Sequence, residues 1–211
     1  MTNFIPIFPL GIVVFPGENL NLHIFEPRYK QLINECTVSK KPFGISTVIE
    51  NKMQEFGSMV EIIEISKTYD SGEMDIKTKG VKVFRILEVI KDLPDKLYSG
   101  AIVNYPDNNE KLYPSGMKKL MNIIRQLHAI LKVEKDFKKP DEEMHAYEIA
   151  HHLGLSLAEE YELLNLMDER QRQEYVKRHL AKVIPMLTGM EELKEKIKLN
   201  GHFKNLGGFD V

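Results

Sequence analysis

The best cluster of metal-ligating residue types lies in the segment HAYEIAHH, residues 145–152. On a helix, His145, Glu148 and His152 can share one face, because they lie three and four residues apart. Two histidines and a carboxylate could hold a zinc ion and support a metal-dependent hydrolase. However, the spacing matches neither H-E-x-x-H nor H-x-x-E-H, and no fourth ligand is evident. A solvated helix face explains the pattern better, and we expect no metal and no cofactor.

A second possible chemistry is nucleophilic catalysis by Cys36, the single cysteine of the 211-residue chain. A thiol needs a neighbouring histidine or cation to become a reactive thiolate. Cys36 instead falls with Leu32 and Ile33 on the apolar face of a predicted helix, which indicates packing. A lone cysteine also excludes an intramolecular disulfide and a multi-thiolate zinc site, and it is typical of a reducing compartment.

A third possibility is nucleic-acid binding through a modest cluster of basic side chains at Lys77, Lys79, Lys82 and Arg85. A phosphate track needs a contiguous positive field. Acidic residues lie close to this cluster in the sequence, and the formal net charge of the chain is −2. These features argue against nucleic acid as a partner, and RNA binding remains an alternative function.

The elements that must position these residues change character near residue 105. Before it, MDIKTKG alternates like a half-buried strand, and VKVFRILEVI is apolar on both faces, as in a central strand. Asp70-Ser71-Gly72 is typical of a hairpin turn. One helix interrupts the strands, with Pro27 in its first turn and its end by Ser39.

After the turn-rich stretch 105–109 the apolar spacing becomes helical. It predicts a small bundle, with helices over 115–133 and 142–153 and further helices that begin after the N-caps Ser156 and Asp168. Gly154 should end the second of these helices. Pro185 should kink or end the last helix near Val183. The tail NGHFKNLGGFDV has no clear period and is expected to be mobile or docked.

Several ordered segments together resemble the N-terminal substrate-binding domain of Lon proteases. They are FPLGIVVFPGENLNLHIFEPRYKQLI at 8–33, FGIS at 43–46, GSMVEIIEI at 57–65, SGEMDIKTKGVKVFRI at 71–86, and the helical stretch that begins HHLGLS. The resemblance extends to about Leu187. Asn21 and Val83 stand where the family usually has proline and arginine, and Ser71 interrupts its usual turn.

The resemblance implies an α+β fold. Residues 1–108 would form a PUA-like, six-stranded β pseudobarrel with one helix, and residues 113–187 a C-terminal α-helical bundle. Residues 188–211 would form a C-terminal helix and a flexible tail.

The resemblance also implies a function. A full Lon protease carries an ATPase module with a G-x-x-x-x-G-K-[ST] phosphate loop and a serine-lysine protease module, whereas Gly-Lys-Ser and Gly-Lys-Thr occur nowhere in this sequence. We therefore expect a free-standing module that is not an enzyme. Its partners would be unfolded or degron-bearing polypeptides, together with a protease or a chaperone.

The predicted peptide groove is bordered by Phe25, Glu26, Arg28 and Tyr29, at the corner between a strand and a helix. Arg28 could bind a peptide carboxylate, or it could pair with a neighbouring acid or carbonyl. A larger apolar groove is expected between the barrel and the bundle. With no signal peptide and no apolar run of about 18 residues, the expected location is cytoplasmic, without membrane contact. The sequence leaves the oligomeric state open.

Overall fold

A computed structural model describes residues 3–204 of the chain, with side chains described as far as Leu199. Six strands and one helix come first, and four helices follow. The strands are β1 (Asn3–Leu10), β2 (Asn19–Ile24), β3 (Phe43–Ile49), β4 (Lys52–Thr68), β5 (Met74–Ile90) and β6 (Gly100–Asn104). The helices are α1 (Pro27–Ser39), α2 (Pro114–Leu131), α3 (Ala146–Ile149), α4 (Leu157–Leu164) and α5 (Glu169–Lys204).

The six strands form one mixed sheet in the order β2-β5-β4-β3-β1-β6. Only β1 and β3 are parallel, and β5 also pairs with β6, so five of the strands close into a ring with β2 outside it. The 17-residue strand β5 is central, as its apolar pattern predicts, since it pairs with β2, β4 and β6. The six strands and the helical half are thus confirmed. The PUA-like character of the barrel stays a prediction.

The predicted hairpin turn and the predicted α1 helix are both present. Gly72 has a φ of +75°, a backbone conformation that glycine adopts without steric cost, and it joins β4 to β5. Helix α1 runs from Pro27 to Ser39 and buries Leu32, Ile33 and Cys36 against the sheet. The apolar face of α1 is therefore structural.

The predicted helix over 142–153 is wrong. That segment consists of a 3-10 turn at Asp141–Glu143, the four-residue helix α3 and a second 3-10 turn at Ala150–His152. The backbone is extended at Met144 and His145, which breaks the helix, and His145 caps α3. Apolar spacing alone could not show this break. Gly154, with a φ of +71°, does end the segment as predicted.

Helix α5 begins where the sequence predicts and ends later. Asp168 Oδ1 accepts hydrogen bonds from the backbone N–H groups of Arg170 and Gln171, which fixes the start. Of the two predicted effects of Pro185, an end of the helix near Val183 is wrong, because α5 continues to Lys204, and a kink stays a prediction. Pro185 is exposed, so water can satisfy the carbonyl that loses its helical partner. The last part of the predicted flexible tail, residues 205–211, lies outside the described residues.

The barrel and the bundle share one hydrophobic core. Val13, Phe15 and Val83 from the barrel pack with bundle residues, and the Phe15 ring stacks on Tyr147 with centroids 5.1 Å apart. His151 contacts Glu18 of the barrel and Glu160 of α4 at 3.1 and 2.7 Å. These contacts fill this part of the junction, where the sequence predicts an open apolar groove.

A buried arginine ties the linker between the two halves to α5. Arg172 is fully buried, and its Nε donates to Glu169 at 2.9 Å. Its two terminal nitrogens donate to the Asn108 side chain, the Asn109 carbonyl and other groups of the bundle. Because a buried charge is costly unless it is paired and hydrogen-bonded, this network fixes the linker on the bundle.

Candidate functional site

The predicted groove border lies at the corner between β2 and α1. Strand β2 ends at Ile24 and α1 begins at Pro27, so the two residues between them turn the chain outward. The Phe25 side chain is 58% exposed and lies beside the His23 ring, with centroids 6.2 Å apart. An exposed phenylalanine next to a flat ring provides an apolar contact surface for another chain.

The other three residues of this corner are engaged with one another. Arg28 Nε and Nη2 both lie 2.7 Å from Glu26 Oε2, and the guanidinium lies 4.6 Å from the centre of the Tyr29 ring. Tyr29 is buried against Phe8, and burial raises the pKa of its hydroxyl. The structure thus brings all four predicted residues together. Phe25 is the exposed apolar group, and Glu26 and Arg28 form a paired polar rim. The buried Tyr29 ring packs against the Arg28 guanidinium.

A larger cavity, of about 1180 Å³, lies between α2 and α5. Gly116 of α2 lies against the side chain of Gln173 of α5 at this cavity. Leu120, Ile123 and Tyr175 supply apolar lining. Sequence reasoning missed this cavity. Lys119 and Ile123 lie four residues apart and therefore on one face of α2. The α5 residues that complete the cavity lie about 50 residues further along the chain, so spacing within α2 does not reveal it.

Cationic groups surround the α2–α5 cavity. Lys119, Arg170, Lys177 and Arg178 line it, against the acids Asp168 and Glu174. Glu174 lies 3.3 Å from Lys177, and Arg170 stacks on Tyr113 at 4.8 Å. The excess of positive charge favours an occupant that carries acidic side chains.

A second cavity, of about 480 Å³, lies between the end of α1 and the outer part of β4. Its lining comes from residues 36, 37, 40–42 and 61–65. This cavity cannot be predicted from local sequence patterns either, because it depends on which strand lies next to β4.

The structure uses the residues of the metal and nucleophile hypotheses in other ways. The His145 backbone N–H donates to Glu148 at 2.9 Å, Glu148 pairs with Lys139, and the His152 carbonyl contacts His128. Within residues 3–204, no group of three or more His, Cys, Asp or Glu side chains is placed to hold a metal ion. Burial raises the pKa of the Cys36 thiol to about 11, which disfavours the thiolate.

Three of the four basic residues of this cluster on β5 have local partners. Lys77 contacts Glu64 at 2.5 Å, Arg85 contacts Glu55 at 3.1 Å, and the Lys82 ammonium lies 3.6 Å from the centre of the Tyr105 ring. Paired cations offer little free charge to phosphates. These contacts give no support to the RNA-binding alternative.

No helix within residues 3–204 combines the length and the apolar character that crossing a membrane requires.

Comparison with known proteins identifies the fold and the family. Two solved structures are similar: a Lon N-terminal domain protein from Xanthomonas campestris (22% identity, TM-score 0.66) and the N-terminal domain of a Mycobacterium avium complex Lon protease (13% identity, TM-score 0.62). The first comparison covers 83% of this chain and 98% of the other, and the second covers 86% and 100%. Residues 5–182 match the ATP-dependent protease La (LON) substrate-binding domain, a range that takes in both the barrel and the bundle. The chain therefore belongs to the Lon substrate-binding domain family.

Proposed function

We propose that this protein is a non-catalytic, cytoplasmic substrate-recognition module that binds unfolded or degron-bearing polypeptides. It acts as an adaptor to a protease or as a regulator of one. The observation that carries the proposal is the family match over residues 5–182, because it spans the barrel, the bundle and the surfaces between them. The match is to the substrate-binding domain and to no protease or ATPase domain, which supports a role in recognition without catalysis.

Two surfaces support the binding of polypeptide. The cavity between α2 and α5 has the volume and the apolar lining to take several side chains of an unstructured chain. The corner around Phe25 adds an exposed aromatic group with a polar rim. Apolar contact gives tolerance of varied sequences, whereas the cations of the α2–α5 cavity favour acidic segments.

The proposal is tested by the binding of a fluorescently labelled, permanently unfolded polypeptide to the purified protein without nucleotide. The native form of the same polypeptide is the control. We expect saturable binding of the unfolded form and none of the native form, measured by fluorescence anisotropy. Equal binding of both forms, or of neither, would contradict the proposed function.

Two substitutions locate the contact surface. Phe25→Ser should weaken binding by roughly three- to tenfold if the corner contacts the polypeptide, because it removes a large apolar side chain. Leu97→Ser is the matched control, since Leu97 is 66% exposed and lies outside this corner. Lys119→Glu should weaken the binding of an acidic segment selectively if the α2–α5 cavity is used. An unchanged affinity of Phe25→Ser would exclude the corner as a contact surface, and an unchanged affinity of Lys119→Glu would exclude the α2–α5 cavity.

A further inference from the structure

Strand β4 has 17 residues, whereas its partner on one side, β3, has only 7. On that side the pairing with β3 ends at Phe43 and Val60, whereas β4 continues to Thr68 with β5 as its partner on the other side. Strand β3 cannot extend further, because the chain reaches Phe43 from α1 through a turn at residues 40–42. Among the strand pairings of residues 3–204, none covers the side of Glu61–Ile65 that faces away from β5.

Such an edge exposes unpaired backbone groups. Successive residues of a regular strand direct their N–H and C=O groups to opposite sides. The register shift at Ile63 interrupts this alternation, so some of the backbone groups of Glu61–Ile65 point away from β5. An open strand edge is a template for another extended chain, which adds by main-chain hydrogen bonding.

The open edge forms one wall of the 480 Å³ cavity. The opposite wall is the end of α1 with its following turn, including Thr37, Lys40 and Lys41. Five strand residues span about 13 Å at 3.3 Å per residue, so the edge accepts a short extended segment. The cavity thus lies where a longer β3 would have run.

The side chains around the cavity indicate what kind of segment fits. Ile63 lines it and is 58% exposed. The ion pairs nearby are Lys77 with Glu64 and Lys96 with Glu35, and neither of them includes Lys40 or Lys41. The strand wall offers Ile63 as an apolar contact and also carries Glu61 and Glu64. Because Glu64 is already paired with Lys77, the two cations of the α1 wall outnumber the remaining acid of the strand wall and favour an acidic side chain on the side of the segment that faces α1.

We propose that an extended segment of the client polypeptide adds as a strand beside Glu61–Ile65. Its apolar side chains contact Ile63, and an acidic side chain of the segment contacts Lys40 or Lys41. This inference rests on the proposed function, and it names the binding mode and the chemistry of the bound segment. The register of β4 with β5 shifts at Ile63, which bends the strand and disfavours a long, straight partner such as the edge of a second copy.

The first test alters the peptide and leaves the protein unchanged. The probe is a labelled six-residue peptide that alternates valine with glutamate, prepared unmodified and in two forms N-methylated at odd or at even positions. N-methylation removes N–H donors from one side of the strand only. We expect one N-methylated form to bind at least roughly tenfold more weakly than the unmodified peptide, and the other within about twofold of it.

The second test alters the edge with a matched control. Ile63→Asp places a charge in the cavity and should weaken binding of the peptide by roughly tenfold. Leu87→Asp is the control, since Leu87 is also exposed and also lies at a register shift of a long strand, but on β5 far from the cavity. We expect Leu87→Asp to leave the affinity unchanged. Lys41→Glu should weaken the binding of the valine–glutamate peptide and strengthen that of a valine–lysine peptide.

The outcomes separate this inference from the proposed function. If wild-type protein binds the unfolded polypeptide, but both N-methylated peptides bind equally and Ile63→Asp behaves like Leu87→Asp, the strand-edge site is wrong and the proposed function stands. If wild-type protein binds neither the unfolded polypeptide nor the peptides, both are wrong. Circular dichroism confirms that each variant is folded.

Discussion

The two halves of α5 have the same helical backbone and opposite surroundings. In the first half, Glu169, Arg172, Val176 and Leu180 are completely buried. In the second half, four apolar side chains recur at helical spacing and more than half of the surface of each is exposed: Met186, Met190, Leu193 and Ile197. A regular apolar pattern therefore does not by itself indicate burial.

The two halves of α5 differ in burial because different parts of the molecule contact them. The linker at Asn108 and Asn109, helix α2 and helix α3 all contact the first half. In the second half, the contacts described for the charged residues are exposed pairs within α5 itself, such as Lys194 with Glu191. The first half of α5 thus contributes to the stability of the fold, whereas the apolar side chains of the second half remain exposed. Two predictions test this contrast and a third tests the contact between the barrel and the bundle, in order of decreasing effect.

The largest loss of stability is expected from a substitution of Arg172. Arg172→Met leaves Glu169 buried without its charged partner and removes the hydrogen bonds that hold the linker, so we expect a loss of about 4 kcal/mol in the free energy of unfolding. Urea denaturation measures it. Lys194→Met, in the second half, is the control and should leave the urea midpoint unchanged, because exposed pairs contribute little. Equal effects of the two substitutions would show that the buried network is not important for stability.

A smaller effect is expected from a pair of leucine truncations. Leu180→Ala removes buried methyl groups and leaves a cavity, which costs about 3 kcal/mol. Leu193→Ala truncates a side chain that is 58% exposed and should change the free energy of unfolding by less than about 0.5 kcal/mol. The contrast between the halves would be contradicted if Leu193→Ala proved as destabilising as Leu180→Ala, since Leu193 would then be buried in solution.

The smallest effect concerns the barrel–bundle contact outside α5. Hydrogen bonds to Glu160 first, and then to Glu18, raise the pKa of His151 from 6.5 to about 10. Because the pKa is higher in the folded state, the stabilising contribution is complete below pH 6.5 and is lost as pH rises through about 10. The side chain is 36% exposed, so solvent screening limits the contribution to about 1 kcal/mol.

His151→Gln measures that contribution. We expect the variant to be less stable than the wild-type protein at pH 6, and the difference between their urea midpoints to shrink towards pH 10. A difference that is independent of pH would show that His151 acts through packing on Phe15 rather than through its charge.

Local sequence signals predicted those parts of the fold that depend on nearby residues. Pro27, Gly72, Gly154, Ser156 and Asp168 mark turns and helix ends, and each acts through backbone geometry or a hydrogen bond within four residues. The family resemblance, based on ordered motifs, predicted the six strands and the helical half. The position of Phe25, Glu26, Arg28 and Tyr29 at a strand–helix corner also follows from local signals, since the four residues lie within five positions of the sequence, whereas their role as a groove border stays a prediction.

The features that sequence reasoning missed depend on distant partners. The open edge of β4 exists because β3 starts at Phe43, a fact of strand pairing that EIIEI does not encode. The break at Met144 and His145 reflects packing, since the Ala146 backbone N–H donates to the buried Glu169, 23 residues further on. The exposed continuation of α5 past Pro185 was missed because a proline penalty of about 3 kcal/mol is an average for helix interiors.

Because Cys36 is buried, the reactivity of its thiol depends on motions of the surrounding structure. The thiol is 4% exposed and sits at the α1 wall of the cavity, with a pKa raised to about 11 by burial. Thiol reagents react with the thiolate of an accessible cysteine, so alkylation of Cys36 at neutral pH is slow and proceeds from states in which the thiol is exposed to the cavity or α1 has moved away from the sheet. Since no other cysteine competes, the rate of that single reaction measures how often Cys36 becomes accessible in the unmodified chain.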